Sequence, residues 1–212
     1  MKRLAFLVLA FLLPELAWAA CTPEQMIMIE FRNATPSVEE GSFATKPKTL
    51  YRYGDRYGRL EEAPNPKSGI HALVIVNKAD VWQINRLDGR IRHIEDPDPE
   101  SKFIAPVFGN PSMPDFLNEY EFGCELEFMK GRGVKPKTFQ AVDRELELYS
   151  YGEDPYVIFL AVDPDHQLPV TSTLYENDEL VAFIKYLSYA IYPEPEMALF
   201  ELPGSAGSNE GD

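Results

Sequence analysis

Three apolar segments separated by two short turns dominate residues 156–191, which read YVIFLAVDPDHQLPVTSTLYENDELVAFIKYLSYAI. The turns fall at residues 163–167 and 176–178, where aspartate, asparagine and proline favour a reversal of the chain. The apolar segments are rich in β-branched and aromatic residues, which is typical of strands. This region therefore predicts consecutive strands joined as antiparallel hairpins.

The same pattern of short strands and turns continues outward from this region. Asp88 and Gly89 predict a hairpin between strands at 81–85 and 91–94, because both residues tolerate a positive φ. Residues 26–29 are apolar at every position, which predicts a strand that is covered on both faces. Further strands are predicted at residues 26–31, 42–45, 49–53, 57–61, 71–76, 144–151 and 197–202.

One helix is predicted, over residues 113–130. Ser112 and Asp115 have the spacing of a capping box, Pro114 suits the first turn, and Gly131 can end the helix. Four residues recur at helical spacing and predict an apolar stripe that packs on the sheet or covers a pocket: Leu117, Tyr120, Cys124 and Phe128.

Composition restricts the class of protein. The chain has 212 residues, 45% of them hydrophobic, and a formal net charge of −14. Its length fits a single large domain, and the many short strands predict an antiparallel, mainly β (α+β) fold closed around one helix. The acidic balance argues against nucleic acid as a partner, because neutralising phosphates requires clustered lysine and arginine.

The two ends of the chain differ from the rest in composition. A basic start at Lys2 and Arg3, an apolar run and the small residues around Trp18 predict a secretory signal peptide at residues 1–19. We therefore expect a periplasmic or secreted protein that is not integral to the membrane. The domain is predicted at residues 20–203, followed by a polar, disordered tail at 204–212.

Two cysteines, Cys21 and Cys124, are present in the chain. In an oxidising compartment an even number of cysteines favours a disulfide between them. Lipidation of Cys21 and two free thiols are the alternatives. Trp18 stands where a lipobox normally has an aliphatic residue, so the disulfide is the preferred prediction.

Motifs for catalysis are missing from the sequence. There is no Gly-x-Ser-x-Gly, no His-Glu-x-x-His and no phosphate-binding glycine loop. His71, His93 and His166 lie in separate segments without metal-type spacing. The sequence thus predicts no catalytic residue, no metal site, no cofactor and no enzymatic activity; a hydrolase would require these histidines to converge with carboxylates.

Three blocks of sequence resemble the LolA-like periplasmic proteins, the outer-membrane lipoprotein-sorting family and its relatives. The blocks are residues 40–51 with Lys46-Pro47-Lys48, residues 75–85 around Trp82, and the segments 163–170, 175–180 and 193–203. The resemblance implies a single strongly curved antiparallel sheet, an incomplete barrel covered by one main helix. It also implies an apolar concave face that takes up acyl chains. Arg52 lies nearest to the position of an arginine that influences lipoprotein release in that family.

Aromatic and aliphatic residues are the candidates for lining such a cavity, since apolar area can hold an acyl chain without polar partners. The candidates are Phe31, Tyr51, Trp82, Ile84, Leu117, Tyr120, Phe159, Tyr175 and Phe183. The expected partners are a lipid or lipoprotein acyl chain and an envelope protein. The alternative is an interaction or sensing module of the envelope whose sheet is filled by its own side chains.

Overall fold

A computed structural model describes residues 23–97, 101–104 and 114–203 of the chain. The described residues form eleven strands and one α-helix, together with three short 3-10 helices at Phe43–Thr45, Asp115–Glu119 and Met197–Phe200. The helix is α1 (Glu125–Gly131). The strands are β1 (Met26–Asn33), β2 (Lys48–Tyr53), β3 (Tyr57–Glu62), β4 (Ala72–Asn77), β5 (Asp80–Asn85), β6 (Arg90–Glu95), β7 (Lys137–Gln140), β8 (Glu145–Glu153), β9 (Tyr156–Asp163), β10 (Leu168–Glu176) and β11 (Glu179–Tyr192).

All eleven strands belong to one antiparallel sheet, in the order β6-β5-β4-β3-β2-β1-β11-β10-β9-β8-β7. Strand β1 pairs with β2 on one side and with β11 on the other. The sheet is open, because β6 and β7 form its two edges and do not pair with each other. The prediction of a mainly β fold with a single antiparallel sheet is therefore confirmed.

The connection between β6 and β7 must pass from one edge of the sheet to the other. Its described residues lie on one face, which we call the core face. The side chains that it contributes to the main hydrophobic core are Phe116, Leu117, Tyr120, Phe122, Leu126, Phe128 and Met129. They pack on Ile29, Leu50, Leu160 and Leu174 from four different strands. The connection and α1 thereby fill the core face with apolar side chains of the protein itself.

The opposite face of the sheet, which we call the outer face, is covered over strands β3 and β4. The 3-10 helix Met197–Phe200 contacts both strands. The Phe200 ring packs against Tyr57, and Arg59 Nη1 donates a hydrogen bond of 2.9 Å to the Leu199 carbonyl. Leu73 and Ile75 are completely buried as a result. The chain therefore encloses a second, smaller core on this side of the sheet.

Several local predictions agree with the structure. The hairpin at Asp88-Gly89 joins β5 to β6, with Gly89 at a φ of 72°. Met26 and Ile27, neighbours in β1, are both buried, so this strand is covered on both faces. The four residues of the apolar stripe in the connection are likewise buried.

The predicted helix over 113–130 is wrong as a continuous element. The chain forms a 3-10 helix at Asp115–Glu119, leaves helical geometry, and forms α1 only from Glu125. Gly123 has a φ of 88°, a left-handed conformation that a helix does not contain. Glu121 and Phe122 are held instead by Arg52 from β2. Tertiary contacts therefore override the helical spacing at this point.

Two predicted strands are also wrong. Residues 43–45 and 197–200 form 3-10 helices. Both segments are flanked by prolines, which cannot donate to a strand ladder: Pro47 follows the first, while Pro195 and Pro203 surround the second. The second segment packs on the outer face of β3 and β4, whose edges are already paired with neighbouring strands.

We predict that Gly123→Ala destabilises the protein. A Cβ at this position would overlap the Ile27 side chain, and the positive φ is unfavourable for alanine. Strain and overlap together are expected to lower the free energy of unfolding by about 2–4 kcal/mol, measured by urea denaturation. The matched control is Gly89→Ala, which shares the positive φ but has open space around the new Cβ. If both variants lost the same free energy of unfolding, overlap with Ile27 would not contribute to the destabilisation, and the prediction would be wrong.

Candidate functional site

Alternation along the last strands places one set of side chains on the outer face. On β10, Ser172 and Leu174 are buried in the core face, while Thr171, Thr173 and Tyr175 point to the other side. Residues directly opposite each other in an antiparallel pair share a face of the sheet. Thr173 is opposite Phe159 on β9 and opposite Phe183 on β11, so these three residues form one row across the outer face.

A groove lies over these rows on the outer face of β7 to β11. Its volume is about 580 Å³. The Phe159 and Tyr175 rings meet edge to face in it, with their centroids 5.6 Å apart. The groove is lined by Phe139, Leu148, Val157, Phe159, Ala161, Thr171, Thr173, Tyr175, Asp178, Leu180 and Phe183. The hydroxyls of two threonines and one tyrosine and a single carboxylate are the polar side-chain groups in a lining that is otherwise hydrocarbon or aromatic.

The nine predicted cavity residues divide into three groups. Phe159, Tyr175 and Phe183 lie together in the groove. Phe31, Leu117 and Tyr120 are buried in the core on the other side of the sheet, where the Tyr120 hydroxyl bonds to Ser172 Oγ at 3.0 Å. The remaining three lie in the other half of the sheet, namely Tyr51, Trp82 and Ile84.

The lining residues that the sequence did not single out include several small or aliphatic ones, such as Leu148, Val157 and Ala161. Each lies two residues from another outward-facing residue on its own strand. The alternation of side chains along a strand could therefore have predicted that it faces outward as well. Which face they share with Phe183 depends on the register between strands, and this register is visible only in the folded sheet.

Arg52 is completely buried on the core face and joins β2 to the connection. Its Nη2 forms an ion pair of 2.9 Å with Glu121, and its Nη1 donates a bond of 2.8 Å to the Phe122 carbonyl. Its Nε donates to the Gly54 carbonyl at 2.9 Å. Burial lowers the pKa of the guanidinium, and the carboxylates of Glu121 and Glu125 oppose this shift. In this geometry Arg52 holds the connection against the sheet.

Glu125, the first residue of α1, is a second buried ionisable group. Its carboxylate accepts a hydrogen bond of 2.6 Å from the Tyr186 hydroxyl and one of 2.8 Å from the Gly123 amide. Burial raises its pKa to about 7, although both hydrogen bonds act in the opposite direction. Glu125 also lines a second pocket of about 470 Å³ beside α1, whose wall includes Tyr189 and His166.

Cys124 immediately precedes Glu125, is completely buried and is not a free thiol. Cys21 lies outside the described residues, so the Cys21–Cys124 disulfide stays a prediction. The predicted signal peptide at residues 1–19 and the predicted tail at 204–212 also lie outside the described residues.

The three histidines occupy different elements. His71 precedes β4, and His93 on β6 stacks on Trp82 and bonds to Asp80 at 2.7 Å. His166 lies in the predicted turn between β9 and β10, where its Nδ1 is 3.3 Å from Asp163. Among the described residues, no three His, Cys, Asp or Glu side chains are grouped so that they could hold a metal ion.

The described fold is thus that of a single-sheet β protein with one filled face and one open apolar groove. No helix in the described part of the chain has the length and hydrophobicity needed to cross a membrane. No protein-family model and no curated protein matches the chain.

A solved structure of another protein shows a related architecture. The crystal structure of an uncharacterized conserved protein from Thermus thermophilus is similar, with a TM-score of 0.50, 9% identity, and coverage of 87% of this chain and 89% of that one. Two structures of PNGF-II give TM-scores of 0.32 and 0.33, at 12% and 11% identity. This chain spans 29% and 30% of the length of the PNGF-II chains. At 9% identity, the similarity to the Thermus protein shows the fold alone.

We predict that losing one partner of the buried ion pair is costly. Arg52→Met leaves the Glu121 carboxylate buried without its counter-ion and should lower the free energy of unfolding by about 3–5 kcal/mol, measured by urea denaturation. The double variant Arg52→Met/Glu121→Met should lose less, since neither charge is then unpaired. Arg90→Met, which removes an exposed ion pair with Asp88, is the control and should change little. A small loss for Arg52→Met would contradict its bridging role.

We also predict that stability depends on pH through Glu125. A carboxyl whose pKa rises from 4.5 to about 7 on folding favours the folded state below pH 4.5, and this contribution is lost as the pH rises through 7. The resulting decrease in the free energy of unfolding is on the order of 3 kcal/mol. Glu125→Gln should remove it, so that the variant is more stable than the wild type at pH 8 and equal to it at pH 4. Glu145→Gln, which changes an exposed glutamate at the start of β8, should retain the wild-type profile.

Proposed function

We propose that this protein is an exported, LolA-like binding protein that holds a lipid or lipoprotein acyl chain in the outer-face groove. The observation that carries the proposal is the groove of about 580 Å³ between Phe159, Tyr175 and Phe183. Ligand pockets for small molecules have volumes of about 300–1,000 Å³ and mainly apolar linings. The expected location is the periplasm or the exterior of the cell, with no cofactor and no bond chemistry.

The size and chemistry of the lining support an acyl chain as the ligand. Each methylene removed from water contributes about 0.8 kcal/mol, so a chain of moderate length can be retained by area alone. The groove contains few polar groups, among them the hydroxyls of Thr171 and Thr173. A strongly polar ligand would find few partners for its hydrogen bonds, and leaving these groups unpaired would weaken its binding.

The proposed site differs in position from the one that the resemblance implies, since it lies on the face of the sheet opposite the connection and α1. On the core face, Phe31, Leu117 and Tyr120 are at most 3% exposed and belong to the main hydrophobic core. A ligand there would have to displace this core, at a cost similar to that of unpacking buried aromatic residues. The groove is accessible without any such rearrangement.

A second candidate function is an interaction module of the envelope that binds no lipid. The filled core face favours this alternative, because such a module needs no internal cavity. The groove would then contact an envelope protein, since exposed apolar patches also serve as protein interfaces. Both functions use the same surface. A test that distinguishes them must therefore measure whether the groove binds a lipid-like molecule.

We predict that the purified protein binds the uncharged fluorophore N-phenylnaphthylamine and that dodecanol displaces it. Phe159→Ala should weaken the binding about tenfold, because the ring is part of the groove floor. Trp82→Ala is the matched control: Trp82 is an aromatic residue of β5, in the other half of the sheet, and its loss should leave the affinity unchanged.

Two outcomes would contradict the acyl-binding proposal. One is an absence of fluorophore and dodecanol binding by the folded wild-type protein. The other is binding that responds to Trp82→Ala and not to Phe159→Ala, which would locate the ligand outside the groove. Absence of binding combined with an envelope protein crosslinked at residue 159 would support the interaction module instead.

A further inference from the structure

A row of five residues crosses the groove from one side to the other. Lys185 on β11 is opposite Thr171 on β10, and Thr171 is opposite Ala161 on β9. Ala161 is opposite Leu148 on β8, and Leu148 is opposite Lys137 on β7. Directly opposed residues share a face, so all five side chains lie on the outer face. The three central members line the groove, and a lysine stands at each end.

The two lysines are available for a ligand. Both side chains are exposed, and neither ammonium has an ion-pair partner among the described residues. Lysine can lay its methylene stem along an apolar surface while its ammonium stays in water. Stems that extend over the groove from both sides would bring positive charge to its rim, on a chain whose net charge is −14.

The other end of the groove carries the opposite charge. Asp178, in the turn between β10 and β11, is the acidic residue of the lining and lies near Tyr175. Tyr175 lies four positions beyond Thr171 on β10, which corresponds to about 14 Å along the strand. An elongated ligand in the groove would therefore meet the two lysines at one end and the Asp178 carboxylate at the other.

We propose that the natural occupant is a single-chain anionic amphiphile, bound as a monomer, whose headgroup lies at Lys137 and Lys185. This inference rests on the proposed function and specifies its ligand class. The hydrocarbon chain extends from the lysine row past Phe159 and Phe183 towards Tyr175. The acidic turn disfavours the reverse orientation, because the headgroup would then face Asp178. A carboxylate headgroup and a phosphate headgroup both carry the negative charge that the two lysines would bind.

The test compares dodecanoate with dodecanol, which differ in headgroup charge and share the length of their hydrocarbon chain. We expect wild-type protein to bind dodecanoate more tightly than dodecanol. In Lys137→Gln/Lys185→Gln the affinity for dodecanoate should fall about tenfold, while dodecanol binding stays the same. The wild-type preference for dodecanoate should also weaken as salt is added. The single variants Lys137→Gln and Lys185→Gln show which lysine contributes more to the affinity for dodecanoate. Dodecyl phosphate tests whether a phosphate headgroup depends on the same lysines.

The control is Lys67→Gln/Lys78→Gln, which removes the same charge from exposed turns elsewhere in the chain and should leave both affinities unchanged. Equal affinities of the wild type for dodecanoate and dodecanol would overturn the inference and leave the proposed function standing. Failure of both ligands to bind would overturn the proposed function itself. Lysine-dependent sedimentation with phosphatidylglycerol vesicles, without binding of monomeric dodecanoate, would identify a membrane surface and also overturn the inference.

Discussion

Strand β1 pairs on both sides, with β2 and with β11, and most of the architecture follows from these two pairings. They join two antiparallel meanders at the centre of the sheet and leave β6 and β7 at opposite edges. The connection between those two strands must then pass over the sheet. Because it carries many buried aromatic and aliphatic side chains, it covers the core face and stabilises the sheet there.

Polar groups fix this connection at defined points. Arg52 reaches from β2 to Glu121 and to the Phe122 carbonyl, and Tyr186 reaches from β11 to Glu125. Buried polar groups are costly unless they are paired, so these contacts specify one arrangement of the connection among many hydrophobic alternatives. They also explain why the helical pattern is interrupted, since Phe122 must present its carbonyl to Arg52. The position of α1 follows from contacts that are distant in sequence.

The surface available for function is a consequence of the same arrangement. One face is filled by the connection, and strands β3 and β4 are covered on the other by the 3-10 helix Met197–Phe200. The outer face of β7 to β11 keeps an apolar groove between two lysines at one end and Asp178 at the other. We propose that an acyl chain occupies it. The overall negative charge of the chain makes the two lysines at the rim distinctive, because they offer positive charge beside an apolar surface.

Local patterns in the sequence were enough to predict most of the strands, the hairpin at Asp88-Gly89, the burial of β1 on both faces and the apolar stripe in the connection. These features depend on alternation, turn residues and side-chain size within short segments. The folded sheet was needed to learn that Phe159 and Phe183 share a groove while Tyr120 lies in the core and Trp82 in the other half. Strand order and register set these distances, and both arise from pairings between segments far apart in the chain. The left-handed conformation of Gly123 likewise depends on partners distant in sequence, with Arg52 holding the residue before it and Tyr186 bonded to Glu125 after it.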